Sequence, residues 1–261
     1  MKKKLGFALG AGGSRGVAHI GFLKAMEEEG ITPDCIAGCS MGSVVGAAYA
    51  SGMTIKDMEH AVEKLRILDL IIPTSQRGGL FETKRIRKLL ERYIGDIEFD
   101  DLKIPYRCIA VDMITQSVVE FHEGKVLDGV IASSSIPAVF KPTQKDGMRL
   151  VDGGVLERVP YRTAKEMGAD VVVAVDVLGW RDCQKEMPTT LGVILEIMDL
   201  MDNARTKNNR EKGKRKKMYD VWLEPDLGDM NQYSCKKMNW ALEKGYEIGK
   251  ANADKIKKLL D

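Results

Sequence analysis

The sequence has no long apolar run, only three histidines and only five cysteines. An odd number of cysteines, spread thinly along 261 residues, does not indicate a framework of disulfide bonds. No segment approaches the roughly 20 apolar residues that span a bilayer, and the basic first residues precede a short apolar run without a small-residue cleavage site. The sequence therefore predicts a cytoplasmic protein with reduced thiols.

Neither sign of charge is in large excess. The 40 basic and 38 acidic residues leave a formal net charge of +2, so the chain as a whole is not attracted to nucleic acid. We therefore expect no nucleic-acid partner. The 44% of hydrophobic residues suffices for the core of one large domain. We expect a single domain over 1–261, with its catalytic core at about 5–177 and a decorated C-terminal end at 180–261.

Short apolar runs alternate with segments of helical spacing. Residues 5–9 break into glycines, and residues 171–175 are apolar throughout, which is typical of buried parallel strands. A helical pattern follows the first run and ends at Gly30, a typical C-terminal cap. This alternation predicts an α/β fold with a mainly parallel sheet.

A G-x-S-x-G motif runs from Gly38 to Gly42, between an apolar run at 34–39 and a helical pattern at 41–50. A serine on such a sharp turn exposes its hydroxyl above the sheet, and the flanking glycines allow close backbone approach. The following helix directs the positive end of its dipole at the same place. Ser40 is therefore a candidate nucleophile, and an ordinary glycine–serine turn is the alternative.

A nucleophilic serine needs a base, and the histidines are poor candidates. His60 lies inside a charged helix and His122 at the end of a strand, so neither sits at a glycine-rich turn. Asp152 directly follows a short strand and precedes two glycines. If Asp152 shares the carboxyl end of the sheet with Ser40, it can take the serine proton directly. An Asp-Gly turn without a catalytic role is the alternative.

A glycine-rich loop, GAGGSRG at 10–16, follows the first apolar run and opens the first helix. Its backbone N–H groups can bind an anion, either a developing oxyanion or a pyrophosphate. The dinucleotide pattern fails because Arg15 occupies the last glycine position and no acid ends the second strand. We expect Arg15 to fix this loop by bonding neighbouring carbonyls, and His19 to make a structural hydrogen bond.

These motifs, in this order, resemble the patatin-like phospholipase family over about 5–177. The matching residues are Gly13-x-Arg15-Gly16, His19-Ile20-Gly21, Gly38–Gly42, Ala132-Ser133-x-x-x-Pro137 and Asp152-Gly153-Gly154. The resemblance implies a three-layer α/β/α sandwich around a mainly parallel sheet. It also places Arg158 where the family often has asparagine. We expect the serines at 133–135 to end a helix near the site.

The resemblance implies a serine hydrolase of acyl esters, of the phospholipase, lysophospholipase or carboxylesterase type. It makes Ser40 the nucleophile and Asp152 the base, with an oxyanion hole from the backbone amides of Gly12, Gly13 and Ser14. The residues that support these motifs are Arg15, Gly16, Gly38, Gly42, Gly153 and Gly154. No metal and no organic cofactor is expected. The alternative is a regulatory or adaptor protein that keeps this fold with little or no hydrolysis.

Residues 191–201 are apolar almost all round a helix, and a basic cluster follows them. We expect the apolar segment to pack in the core or between subunits; a lid or a lipid-facing surface is the alternative. A solvated face is the ordinary interpretation of the basic cluster, and attraction to anionic lipid is our hypothesis. The basic residues are Arg205, Lys207, Arg210, Lys212, Lys214, Arg215, Lys216 and Lys217.

Overall fold

The computed structural model describes residues 3–64, 81–179 and 189–261. This part of the chain forms eight strands and eight α-helices. The strands are β1 (Leu5–Leu9), β2 (Cys35–Cys39), β3 (Tyr106–Asp112), β4 (Ser117–Phe121), β5 (Thr143–Lys145), β6 (Met148–Asp152), β7 (Val171–Val175) and β8 (Val221–Leu223). The helices are α1 (Ala18–Glu28), α2 (Met41–Ala50), α3 (Ile55–Lys64), α4 (Lys84–Ile94), α5 (Val126–Ser133), α6 (Tyr161–Glu166), α7 (Thr190–Arg215) and α8 (Met238–Leu260).

The eight strands form one mixed sheet whose centre is parallel. The order β3-β2-β1-β7-β8 is parallel throughout. The predicted mainly parallel α/β sheet is therefore confirmed. At one side β4 and β6 run antiparallel to β3, and β5 is antiparallel to β6.

The central strands are buried on both faces, and their side chains alternate between two cores. Phe7 and Leu9 of β1 lie in the larger core, which also contains buried residues of α1, α2 and α8. Ala8 of the same strand lies in a smaller core with Tyr161 and Ala164 of α6. Helices thus cover both faces of the sheet, which confirms the three-layer sandwich.

The strand that carries Asp152 runs antiparallel to β3, and it still brings Asp152 to the end of β2 that leads to Ser40. On one edge of β3, Ile109 pairs with Cys39 of β2 and the next residue, Ala110, pairs with Asp152 of β6. Both residues pair with β4 on the other edge, so β2 and β6 lie on the same edge of β3. The two strands therefore meet end to end, and their last residues become neighbours.

The C-terminal part of the chain is built into the sandwich. β8 extends the sheet beside β7, and α8 packs closely on α1. A Cβ atom on Gly21 of α1 would lie 1.9 Å from the carbonyl oxygen of Leu242, and one on Gly245 of α8 would lie 1.8 Å from that of Ala18. These two glycines let the helix backbones touch. Residues 180–188 of the predicted decorated end lie outside the described residues.

No helix in the described ranges has both the length and the apolar character that crossing a membrane requires.

Candidate active site

Ser40 stands on the turn between β2 and α2 in a strained backbone conformation. Its φ of 52° and ψ of −124° lie in a region that residues with a side chain rarely adopt. The Ser40 amide donates to Oγ of Ser133, at the end of α5, at 2.9 Å, and its carbonyl accepts from the Ser43 amide at 2.8 Å. These bonds hold the turn, and they place Ser133 beside the site as the sequence predicted.

The two glycines of the G-x-S-x-G motif leave room for neighbouring backbone. A Cβ atom on Gly42 would lie 2.1 Å from the carbonyl oxygen of Leu9 in β1, and one on Gly38 would lie 2.6 Å from Cα of Ser43. Neither glycine has a positive φ, so it is close approach that requires them. The turn can press against the sheet only because both positions lack a side chain.

Asp152 ends β6 with its carboxylate buried, only 6% of the residue being exposed. Its Oδ1 accepts from the Gly154 amide at 2.8 Å, and the Cys39 thiol lies 3.9 Å from the same oxygen. Burial raises the pKa of Asp152 from 3.8 to about 6, although hydrogen bonds from Ser40 and the Gly154 amide lower it. The carboxylate can therefore accept a proton near neutral pH, and Ser40, which lines the same cleft, is the candidate donor.

The glycine-rich loop faces Ser40 and Asp152 across a cleft of about 140 Å³. Gly13 has a φ of 50°, and a Cβ atom on it would lie 2.4 Å from the carbonyl oxygen of Gln232. That carbonyl accepts the Ser14 amide at 2.9 Å, so this amide is occupied and cannot serve as the expected oxyanion donor. Within the described ranges, nothing accepts the amides of Gly12 and Gly13, which line the cleft.

Arg15 fixes the glycine-rich loop, as the sequence predicted. Its buried guanidinium donates to the carbonyls of Val177 at 2.9 Å and Leu178 at 3.3 Å, after β7. It also donates to the carbonyls of Gly228 at 3.2 Å and Met230 at 3.1 Å, in the loop before α8. One side chain thereby joins three loops at the carboxyl edge of the sheet.

None of the three histidines lines the cleft. His19 is buried, and its Nε2 donates to the Gly10 carbonyl at 2.8 Å, which confirms the predicted structural bond. Burial lowers the pKa of His19 to about 4, although the bond to Gly10 raises it, so the ring is neutral at physiological pH. His60 and His122 are exposed. Among the acids that line the cleft with Ser40, Asp152 is the one whose strand ends beside the strand that carries Ser40.

An apolar cavity of about 420 Å³ opens at Ser40. It extends between α2, α3 and α4 and is lined mainly by aliphatic side chains. Those on the three helices include Met41, Val44, Val45, Ala48, Met58, Ala61, Val62, Ile86, Leu89, Leu90 and Ile94. The described residues contain no group of three histidine, cysteine or acidic side chains that could hold a metal ion. The apolar cavity is suited to an uncharged, elongated ligand whose reacting group lies at Ser40.

The family match covers the same elements. Residues 7–165, well over half of the chain, match the model of the family described as patatin-like phospholipase. This chain belongs to that family. The match includes the glycine-rich loop, the Ser40 turn and Asp152.

Three relatives from different organisms each match about two thirds of this chain. An uncharacterised NTE family protein of Mycobacterium tuberculosis is 35% identical over 179 residues, 67% of this chain and 49% of that protein. Patatin-like phospholipase domain-containing protein 6 of Homo sapiens is 34% identical over 66% of this chain and 13% of its own. Lysophospholipase nte1 of Aspergillus oryzae is 34% identical over 67% of this chain and 12% of that protein. The chain spans at most about half the length of these relatives.

Two solved structures share the patatin-like fold at low sequence identity. VipD from Legionella pneumophila superposes with a TM-score of 0.66 at 14% identity, over 97% of this chain and 67% of that one. The type III effector protein ExoU gives a TM-score of 0.51 at 12% identity, over 99% and 54%. These similarities support the three-layer fold.

Arg158 ties the loop after Asp152 to two other elements. Its buried guanidinium donates to Asp176, after β7, at 2.8 Å and to Asp202 of α7 at 2.6 Å. Burial lowers its pKa, but the two carboxylates raise it more, so the cation is firmly held. The Arg158 carbonyl also accepts the Ala11 amide at 2.9 Å. The sequence indicated Arg158, but its acidic partners are distant in the chain and carried no local pattern.

Helix α7 covers the cleft, and its apolar first half does not pack in the core, which was one of its two expected positions. Asp199 and Asp202 face the cleft, and Leu195 lines the apolar cavity. The opposite side is exposed, because only one face of this helix meets the body of the protein. The exposed side chains are Val193, Ile194, Ile197, Leu200 and Met201.

Proposed function

We propose that this protein hydrolyses lipid acyl esters by a two-step serine mechanism. One observation carries the proposal: Ser40, the buried Asp152 and the amides of Gly12 and Gly13 converge where an apolar cavity of about 420 Å³ opens. A reactive serine and an anion-binding loop are what acyl transfer requires. The cavity accommodates the hydrocarbon part of the substrate. Membership of the patatin-like phospholipase family supports the same class of reaction.

In the first step Ser40 Oγ attacks the ester carbonyl carbon while its proton passes to Asp152. The carbonyl oxygen becomes an oxyanion, and the amides of Gly12 and Gly13 donate to it. The intermediate collapses as the bond to the alcohol oxygen breaks. Asp152 returns its proton to that oxygen, so the alcohol leaves and the acyl group stays on Ser40.

In the second step water replaces the alcohol. Asp152 takes a proton from the water as the water oxygen attacks the acyl carbon, and the same amides hold the oxyanion. Breaking the bond to Ser40 Oγ releases the carboxylic acid, and Asp152 returns the proton to the serine. The second step therefore needs no group beyond those of the first.

The cavity favours an ester with one long acyl chain at Ser40. Its walls include the apolar faces of α2, α3 and α4, so few polar atoms of the protein lose water when a hydrocarbon chain enters. The lysophospholipase and phospholipase names of the relatives support a phospholipid or lysophospholipid substrate. We expect long-chain esters to react faster than acetate esters with the same leaving group, because burial of each CH₂ contributes about 0.8 kcal/mol.

Labelling with a fluorophosphonate probe tests the activated serine directly. We expect the probe to modify Ser40, identified by mass spectrometry of the labelled peptide, and Ser40→Ala to lose the label. Ser51→Ala is the matched control, because Ser51 ends the same helix and its Oγ donates to the Ala48 carbonyl away from the cleft. This control should keep the label.

The proposal fails if the purified, folded protein remains unlabelled under conditions in which another serine hydrolase reacts. It also fails if Ser40→Ala labels as the wild type does. The first result would favour the adaptor alternative, in which the fold persists without its chemistry.

A further inference from the structure

Helix α7 presents different surfaces on its two sides. The inner side covers the cleft, where Asp199 accepts from Gln232 Nε2 at 2.8 Å and Asp202 pairs with Arg158. Arg205, one turn further, donates to the Val155 carbonyl in the loop after Asp152. The inner side is therefore fixed to the site by polar contacts, which orients the outer side.

The outer side of the first half of α7 is an apolar ridge. Its members, the α7 ridge, are 41% to 67% exposed and are Val193, Ile194, Ile197, Leu200 and Met201. Their spacing of three and four residues keeps them on one face of the helix. Five large apolar side chains in one exposed stripe are unusual for a surface that meets only water.

The same face of α7 becomes basic after the ridge. Continuing the spacing from Leu200 leads to the exposed residues Lys207, Lys212 and Arg215, with Glu211 as the one acid among them. We name these three basic residues the basic end. A single helix thus carries an apolar half followed by a cationic half on one outward face. That combination matches an anionic lipid surface, which offers hydrocarbon beneath negatively charged headgroups.

The ridge is also continuous with the cleft. Met201 belongs to the ridge and lines the cleft beside Ser40, and Leu195 lines the apolar cavity on the inner side. A surface seated on the ridge therefore lies at the rim of the cleft. A second protein copy would need no such continuity and would have to neutralise the basic end, whereas an anionic membrane satisfies both features.

We propose that α7 docks this protein on anionic lipid bilayers, with the α7 ridge inserted among the acyl chains and the basic end on the headgroups. The docking does not depend on the hydrolysis proposed above, because it uses the outer side of α7 and none of the groups proposed to react; only Met201, at the rim of the cleft, is common to both surfaces. It orients the cleft toward the bilayer.

Cosedimentation of the full chain with vesicles tests the docking. We expect binding to vesicles containing about 30% phosphatidylserine and weaker binding to phosphatidylcholine alone or at high salt. The double variant Ile197→Ser, Leu200→Ser should bind roughly tenfold or more weakly. Lys212→Gln with Arg215→Gln should weaken binding to the phosphatidylserine vesicles by roughly thirtyfold, since two basic residues at about 1 kcal/mol each are lost. Ile114→Ser, a control at an apolar side chain 62% exposed outside the ridge, should bind as the wild type does.

Three results would overturn the docking. They are absence of binding to either vesicle, wild-type binding by the ridge variant, and a dimer in light scattering that the ridge variant abolishes. The last would assign the ridge to a second copy of the chain. Fluorophosphonate labelling without lipid separates the two proposals: the ridge variant should label at the wild-type rate, so a docking failure with intact labelling leaves the hydrolase proposal standing.

Discussion

Replacing Asp152 with asparagine should remove hydrolysis and also stabilise the folded protein at neutral pH. Burial raises the pKa of Asp152 from 3.8 to about 6, so the fold disfavours the ionised form that the proposed reaction uses. A pKa difference of about 2 corresponds to about 3 kcal/mol, at 1.36 kcal/mol per pKa unit. Asparagine has no charge to desolvate and keeps an oxygen for the Gly154 amide. The variant should therefore recover most of this free energy.

The gain should grow with pH. Below pH 3.8 the Asp152 carboxyl is protonated in the folded and unfolded chains, so it costs no stability. Between pH 3.8 and about 6 the unfolded chain ionises while the folded chain holds its proton, so wild-type stability falls. Above about pH 6 the full cost of about 3 kcal/mol is present. The advantage of Asp152→Asn should thus be about 1.5 kcal/mol larger at pH 8 than at pH 5.

Urea denaturation of both proteins at the two pH values measures this difference. Asp146→Asn is the control, because Asp146 lies on the exposed turn between β5 and β6 and should show no pH-dependent gain. An equal gain at both pH values, or a loss that grows with pH, would refute the raised pKa. Ester hydrolysis by Asp152→Asn near the wild-type rate would refute its role as the base.

Two further substitutions test the loops around the cleft. Gly13→Ala should slow fluorophosphonate labelling by roughly tenfold or more, since its Cβ would displace the Gln232 carbonyl and with it the amides of the glycine-rich loop. Gly30→Ala is the control, because Gly30 also has a positive φ but faces open space, and this variant should label at the wild-type rate. Arg158→Met should lower the free energy of unfolding by about 3–5 kcal/mol in urea, because the buried Asp176 and the partly buried Asp202 lose their cation. Arg87→Met, at a half-exposed ion pair, should cost about 1 kcal/mol or less.

Features that depend on a few consecutive residues were predictable from the sequence. The strand–turn–helix around Ser40 follows from an apolar run, two glycines at fixed spacing and a helical pattern, and the structure forms that turn. That Arg15 fixes the glycine-rich loop was also predictable, because an arginine has five N–H donors. Its acceptors were not, because they lie in the loops after β7 and before α8, far away in the chain. The buried central strands followed from their uninterrupted apolar runs.

Strand direction at the site required the tertiary structure. Nothing within 148–152 tells whether that strand runs parallel or antiparallel to β3. Its direction depends on the path that the chain takes back to the part of the β3 edge that β2 leaves unpaired. The hydrogen bond of the Ser14 amide also could not be predicted from the sequence, since its acceptor, the Gln232 carbonyl, is 218 residues away.

The sequence by itself determined the local chemistry of the site: the Ser40 turn, the glycine-rich loop and the acid at Asp152. The tertiary structure decided which of these groups meet, which amides remain available, and that α7 exposes its apolar side. The sequence of an apolar helix does not distinguish packing in a core from exposure at the surface. Only the position of its polar partners, Arg158 and Gln232, fixes which side turns inward.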